Sequence, residues 1–252
     1  MSLLHARISH WAFWEDRDDR AVLKSGTAGH TEIPHTAIPI DDMTGANLAR
    51  CLKPAWRRRL DLYGRAAAEV LGHTIRDGDN PHIVFASRHG NIDRTLKLLH
   101  QVATNETLSP ADFSMSVHNA LVGVASINWS ITQSHTAISA GNDSLIAALT
   151  ETLCQLTSED GPVILCYVDL PLPDIYHDED PDDISGTALA IRFDQPTKPD
   201  GRMFWFDPIP DHDPAPMPHR QARAIAACLG ASSKTGLNLP GKSGGWAMQP
   251  HG

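Results

Sequence analysis

A nucleophilic hydroxyl needs a nearby base and a place for the oxyanion. One segment here offers the right kind of place: Thr136-Ala137-Ile138-Ser139-Ala140-Gly141-Asn142. An apolar run ends at Ser139, Gly141-Asn142 turns the chain, and a helical pattern opens at Ser144. A group at a strand-to-helix turn meets the positive end of a helix and its free N–H groups, which lower a thiol pKa and stabilise an oxyanion. His135 is close in sequence, yet residues four apart on a strand share a face without touching. Ser139 therefore reads either as an activated serine or as a small residue that lets the turn pack. The Gly141-Asn142 turn lacks the G-x-S-x-G spacing of a nucleophile elbow.

The other reactive groups are dispersed. His89 and His118, with Asn119 and His135, either line a pocket or partner surface, or His89 holds a strand-to-helix turn and His118 packs in a helix. Cys51, Cys154, Cys166 and Cys228 form no C-x-x-C pair, which argues against a zinc knuckle or a small disulfide framework and for buried free thiols. The acidic stretch 174–183 lacks EF-hand spacing and reads as a solvated loop. No metal and no cofactor is expected. Arg57-Arg58-Arg59 is either an ordinary exposed helix face or a cationic patch for an acidic partner.

Charge narrows the partners. The 252 residues hold 21 Lys and Arg against 30 Asp and Glu, a net charge of −9, and no basic run could track a phosphate backbone. Nucleic acid is not expected as a partner. No apolar stretch approaches the roughly 18 residues of a membrane span, and no basic region followed by an apolar one opens the chain. A cytoplasmic protein is expected.

The frame for these residues is an alternation of strands and helices. Residues 6–14 read as a strand stopped by the charged cluster 15–20, and residues 17–46 as loop. A helix spans 54–71, carrying Trp56, Leu60, Tyr63, Ala67 and Val70 at spacings of three and four. A buried strand follows at 82–87. Asn91 then caps a helix whose apolar face is Ile92, Leu96, Leu99 and Val102. Ser109-Pro110 opens a further helical stretch with its core at 114–128, where small residues including Gly123 permit close approach. A short buried strand at 135–139 leads to a helix at 144–156. Buried strands at 162–169 and 187–193, a turn-rich stretch 207–218, a helix at 219–229 and a mobile tail from 232 complete the chain. The class is α/β, with a mixed five-stranded sheet and helices on both faces.

Several motifs in order, Ser87-Arg88-His89-Gly90-Asn91, Glu106-Thr107-Leu108-Ser109-Pro110 with Phe113-Ser114, Ser116-Val117-His118-Asn119-Ala120, Thr136-Ala137-Ile138-Ser139-Ala140-Gly141 with Asp143-Ser144, and Tyr167 and Asp169 with Pro171-Leu172-Pro173, resemble the β-ketoacyl synthase-like N-terminal family. The likeness covers roughly residues 5–195. It implies a thiolase-like half-fold within a single domain over 1–252, with about 196–252 as a C-terminal extension holding one helix and a flexible tail.

The resemblance also bears on activity. Ketosynthases place a cysteine at the strand-to-helix turn, where this chain has Ser139 or Ala140 followed by Gly141 and no cysteine. Their second half carries two histidines for malonate decarboxylation. His212 and His219 lie in contexts that match neither motif. Independent condensation is therefore not expected. The resemblance implies instead an accessory or chain-length-factor-like partner in fatty-acid, polyketide or aryl-polyene-type biosynthesis. The alternatives are an acyltransferase or thioester hydrolase using Ser139, and an acyl- or carrier-protein-binding module. In the family, the strand leading to the nucleophile lies at the two-fold interface. That implies an open sheet edge here, a homodimer or a heterodimer with a complete ketosynthase, and acyl carrier protein as a further partner.

Overall fold

The computed structural model describes residues 4–17, 20–27, 43–181, 183–212, 214–231 and 235–251. Its centre is one mixed sheet of nine strands. β1 (Leu4–Arg17), β3 (His82–Ala86), β5 (Val163–Asp169) and β6 (Gly186–Asp194) are the strands that the apolar runs predict. β4 (His135–Ile138) is the strand before the turn, and β2 (Arg20–Thr27), β7 (Arg202–Ile209), β8 (Leu237–Leu239) and β9 (Gly245–Pro250) join the sheet beyond expectation. The order is β4-β3-β5-β6-β1-β7-β9-β8, with β2 paired to β1. β4, β3 and β5 run parallel, and every other pairing is antiparallel.

The four additional strands correct the five-stranded expectation. The charged residues after Trp14 do not stop β1. They carry it to Arg17, and the chain returns as β2 in register with it, Trp14 opposite Leu23 and His10 opposite Thr27. Residues 20–27 are therefore strand and not loop. One edge of β1 serves two neighbours, β7 against Leu4–Ile8 and β2 against His10–Arg17. The C-terminal segment expected to hold one helix also contributes β7, β8 and β9.

Seven α-helices lie among the described residues: α1 (Pro54–Arg57), α2 (Leu62–Gly72), α3 (Ile92–Ala103), α4 (Pro110–Ser116), α5 (Ala120–Trp129), α6 (Ser144–Ser158) and α7 (Pro218–Gly230). The predicted helix over 54–71 is two helices, because Asp61 caps α2 through Gly64 N at 3.2 Å. Residues 114–128 are likewise divided, with Val117–Asn119 between α4 and α5. α3 starts at its predicted Asn91 cap, but Leu98 is its buried residue while Leu99 and Val102 face outward. A Cβ added at Gly123 would meet nothing within 4 Å, so this glycine is not needed for a close approach.

Alternation along the central strands divides the core in two. Val163, Leu165 and Tyr167 of β5 face one cluster, with α6 and α7; Ile164, Cys166 and Val168 face the other, with α2 and α5. On that second face Ala188, Ala190 and Ala12 meet Ala66, Ala67 and Ala68 of α2, and small side chains on both surfaces let this helix lie close to the sheet. Helices thus cover both faces, and β5 and β6 are buried at every position. Each large aliphatic side chain enclosed this way contributes about 1.5–3 kcal/mol.

Candidate functional site

β4 forms one edge of the sheet, and among the described residues it pairs only with β3. The predicted burial of residues 135–139 is incorrect for this chain: His135, Ala137, Ser139 and Ala140 are exposed. The expected open edge is present. Ser134 O accepts from Ile83 N at 3.2 Å and Ile138 O from Ser87 N at 3.2 Å. Residues on a strand alternate which side their backbone groups face, so the N–H and C=O of His135 and Ala137 point outward, away from β3. Thr136 and Ile138 turn their side chains to α6, where Gln155 Nε2 donates to Thr136 Oγ1 at 2.9 Å and Ile138 packs against the core.

After β4 the chain passes through Ser139 and Ala140 into a 3-10 turn, Gly141–Asp143, and then α6. Gly141 takes φ +56°, a conformation a glycine adopts without a Cβ clash. Ser144 closes the turn, its Oγ accepting from Ala140 N at 2.9 Å and donating to Gly141 O at 2.7 Å. The Ala140 N–H is therefore occupied and does not point into an open oxyanion site. Asp143 accepts from Lys242 N at 2.9 Å and Ser243 N at 3.2 Å, which ties the turn to the segment before β9.

Ser139 Oγ donates to Arg88 O at 2.7 Å. A carbonyl cannot take the proton as a base, so this bond positions the hydroxyl without activating it. His135, four residues away, lies about 13 Å along the strand by the usual rise. His118 sits between α4 and α5 rather than in a helix, with Nε2 3.0 Å from Ile138 O and its ring edge-on to Phe85. A carbonyl only accepts, so the proton is on Nε2. Burial lowers the His118 pKa, and the Ile138 bond and Asp169 oppose that without prevailing. His89 and Asn119 are exposed, and Asn119 makes no side-chain cap to α5.

Behind the turn lies an ion network that sequence reasoning did not single out. Arg88 Nε donates to Asp169, and its Nη2 donates to Asp180 Oδ1 at 2.9 Å. Ser87 Oγ and Tyr167 OH each donate to Asp169 at 3.4 Å. Burial draws the Arg88 pKa down, but Asp169 and Asp180 more than offset this and raise it. Burial likewise raises the Asp169 carboxyl against the pull of Arg88. The signal was present in the sequence: an aspartate ending a wholly apolar strand must find a partner when buried. Asp180 corrects the reading of 174–183 as a solvated loop, since its side chain is buried in this network. Among the described residues, no cluster of three or more His, Cys, Asp or Glu is placed to hold a metal ion.

The helices α3 to α5 expose large apolar groups. Leu99 and Val102 of α3, Phe113 of α4, Val117 and Ile127 of α5's flank and body are outward, Phe113 at 64% and Ile127 at 58%. No described helix is long and apolar enough to cross a membrane.

The profile of the family described as Beta-ketoacyl synthase, N-terminal domain, matches residues 34–239. No curated protein matches the sequence. Among solved structures, a chain of the ketosynthase ApeO in complex with its chain length factor ApeC, from Xenorhabdus doucetiae, is similar at TM-score 0.71 and 21% identity, covering 98% of this chain and 99% of that one. The ishigamide ketosynthase/chain length factor is similar at TM-score 0.59 and 14% identity, covering 88% of this chain and 73% of that one. These likenesses show a thiolase-like ketosynthase fold, with nine strands in its sheet.

Proposed function

The chain belongs to the β-ketoacyl synthase N-terminal domain family, and from that membership we propose that it is a noncatalytic ketosynthase-like subunit. It acts as an accessory or chain-length-factor-like partner of a complete ketosynthase, in fatty-acid, polyketide or aryl-polyene-type biosynthesis. The observation that carries the reading is the outward edge of β4, where among the described residues the backbone groups of His135 and Ala137 have no strand partner; the exposed apolar side chains of α3 to α5 add apolar surface for a partner. An open strand edge pairs readily with a second strand, and apolar surface removed from water adds to that pairing. A partner's equivalent strand laid against β4 extends the sheet across both subunits and brings the Ser139–Gly141 turn against the partner.

The turn itself supports a noncatalytic role. By the resemblance, Ser139 or Ala140 falls about where the family's cysteine would be; the Ser139 hydroxyl is committed to a carbonyl, and the Ala140 N–H is committed to Ser144. The test is native mass spectrometry of the chain alone and with a complete ketosynthase and acyl carrier protein. A specific complex with the ketosynthase is expected, without acyl mass on this chain. Acylation of Ser139 that is lost in Ser139→Ala would replace this reading with a serine acyltransferase or hydrolase.

A further inference from the structure

Across the sheet from β4, a cavity of about 280 Å³ lies between the β1–β2 hairpin and α7. That is close to the lower end of the roughly 300–1,000 Å³ of small-molecule clefts. Its walls include Trp11 and Phe13 of β1, Lys24 of β2, and Arg223, Ala226 and Ala227 of α7. The strand register explains why the space stays open. Gly26 stands opposite Trp11 and Lys24 opposite Phe13, so neither β2 position puts a bulky apolar group towards α7. Besides Arg223, the helix adds only alanines and, at its end, Gly230. A Cβ at Gly26 would come within 3.2 Å of Trp11 Nε1, and one at Gly230 within 3.3 Å of Trp11 Cζ2. Two glycines thus flank the indole where side chains would fill the cleft.

The polar groups around this apolar wall are unequal. Arg223 is already engaged, its Nε donating to Glu15 Oε1 at 3.0 Å. Lys24 is exposed, and among the described residues no carboxylate pairs with it. Trp11 Nε1, enclosed against Gly26, has no acceptor among the described residues, a rare condition in a native interior. An apolar wall with one uncompensated cation at its rim complements a molecule with an apolar tail and a single negative head.

We infer that this cleft binds a free single-chain carboxylate, its tail on Trp11, Phe13 and the α7 alanines and its head group beside Lys24. The site is separate from the β4 turn and stands whether or not the chain acts as a ketosynthase partner.

Sodium octanoate titrated into the full chain, followed by calorimetry and tryptophan fluorescence, is expected to bind saturably at one site. Ala227→Phe, at an exposed helix position on the cleft wall, is expected to abolish binding. Lys24→Glu is expected to weaken it by about fivefold, the scale of an exposed charge contact reversed. Octanol, which lacks the charge, is expected to bind Lys24→Glu and wild type alike. Lys24 is exposed, so its variant decides the question even where Ala227→Phe fails to fold. The assignment is overturned by non-saturable uptake, by unchanged octanoate affinity in Lys24→Glu or in folded Ala227→Phe, or by binding to phosphatidylglycerol vesicles without binding to octanoate.

Discussion

Arg88 and Asp169 are 81 positions apart in the chain and meet as a buried ion pair, their side chains 3% and 4% exposed. The pair joins the exit of β3 to the end of β5, and the Arg88 carbonyl in turn holds Ser139. A buried guanidinium stripped of its main partner keeps only Asp180, and breaking a buried pair in this way costs about 3–5 kcal/mol. Asp169→Ala is expected to lose that much stability in urea unfolding. Replacing the whole network, Arg88→Met with Asp169→Leu and with Asp180→Asn to keep an acceptor for Leu172 N, is expected to recover much of it. An Asp169→Ala variant within about 1 kcal/mol of wild type would show that the pair does not hold the turn's foundation.

The outward backbone of β4 permits a selective block. Ala137 directs its N–H away from β3, so Ala137→Pro removes no bond of the existing ladder and deprives an incoming strand of a donor. The folded chain is expected to keep its Tm within a few degrees, while association with a ketosynthase or with a second copy is lost in sedimentation velocity. Association as strong as wild type would remove the β4 edge from the interface.

Acid is expected to destabilise the fold before the carboxylates titrate. Burial is the largest influence holding His10, His118 and His219 below the ordinary histidine value. At His10 the Arg76 guanidinium, 3.1 Å from Nδ1, acts in the same direction. Unfolded, each titrates near 6.5, so falling pH protonates the unfolded chain first. Their contribution is complete above about pH 6.5 and is lost as the pH falls through the lower folded values. Tm is expected to drop between about pH 7 and pH 5, and His118→Gln to flatten the slope. A Tm independent of pH across that window would contradict the assignment.

What could be read from the sequence follows burial. β3, β5 and β6 are enclosed on both faces, so they carry apolar runs at 83–86, 163–168 and 188–191, and α6 and α7 carry clear turns of apolar residues. β2 was illegible because Lys24 and Ser25 border an open cleft instead of a packed layer and Gly26 brings no side chain. β7 to β9 were hidden by Pro208, Gly245 and the short length of β8. β4 looked buried because four residues of mixed character do not distinguish an inner strand from an edge another chain could cover. The turn at Ser139–Gly141 was visible from its pattern, whereas the partners of Arg88 come from distant segments and need the fold to bring them together. On α3 the apolar face was misplaced by one position, Leu98 rather than Leu99, enough to turn a predicted core residue outward.

The cysteines carry a prediction that sequence alone ranks wrongly. Only Cys166 is fully buried; Cys228 is half-buried, and Cys51 and Cys154 are exposed. Exposure does not make the last two equal. The Cys51 sulfur packs against Gly72, where a Cβ would come within 2.7 Å, and lies 3.6 Å from Ala68 O. Burial of that thiol, followed by the Glu69 carboxylate, pushes its pKa up to about 11. Burial also raises Cys166 and Cys228. The thiolate is the reactive form, so a disulfide reagent at about pH 8 is expected to label Cys154 first and Cys51 far more slowly, with Cys166 released only on unfolding. Cys154→Ser should delete the fast phase and leave the slow ones. A fast phase that survives Cys154→Ser and disappears in Cys51→Ser would mean that the α2 contact around Cys51 opens faster than its packing implies.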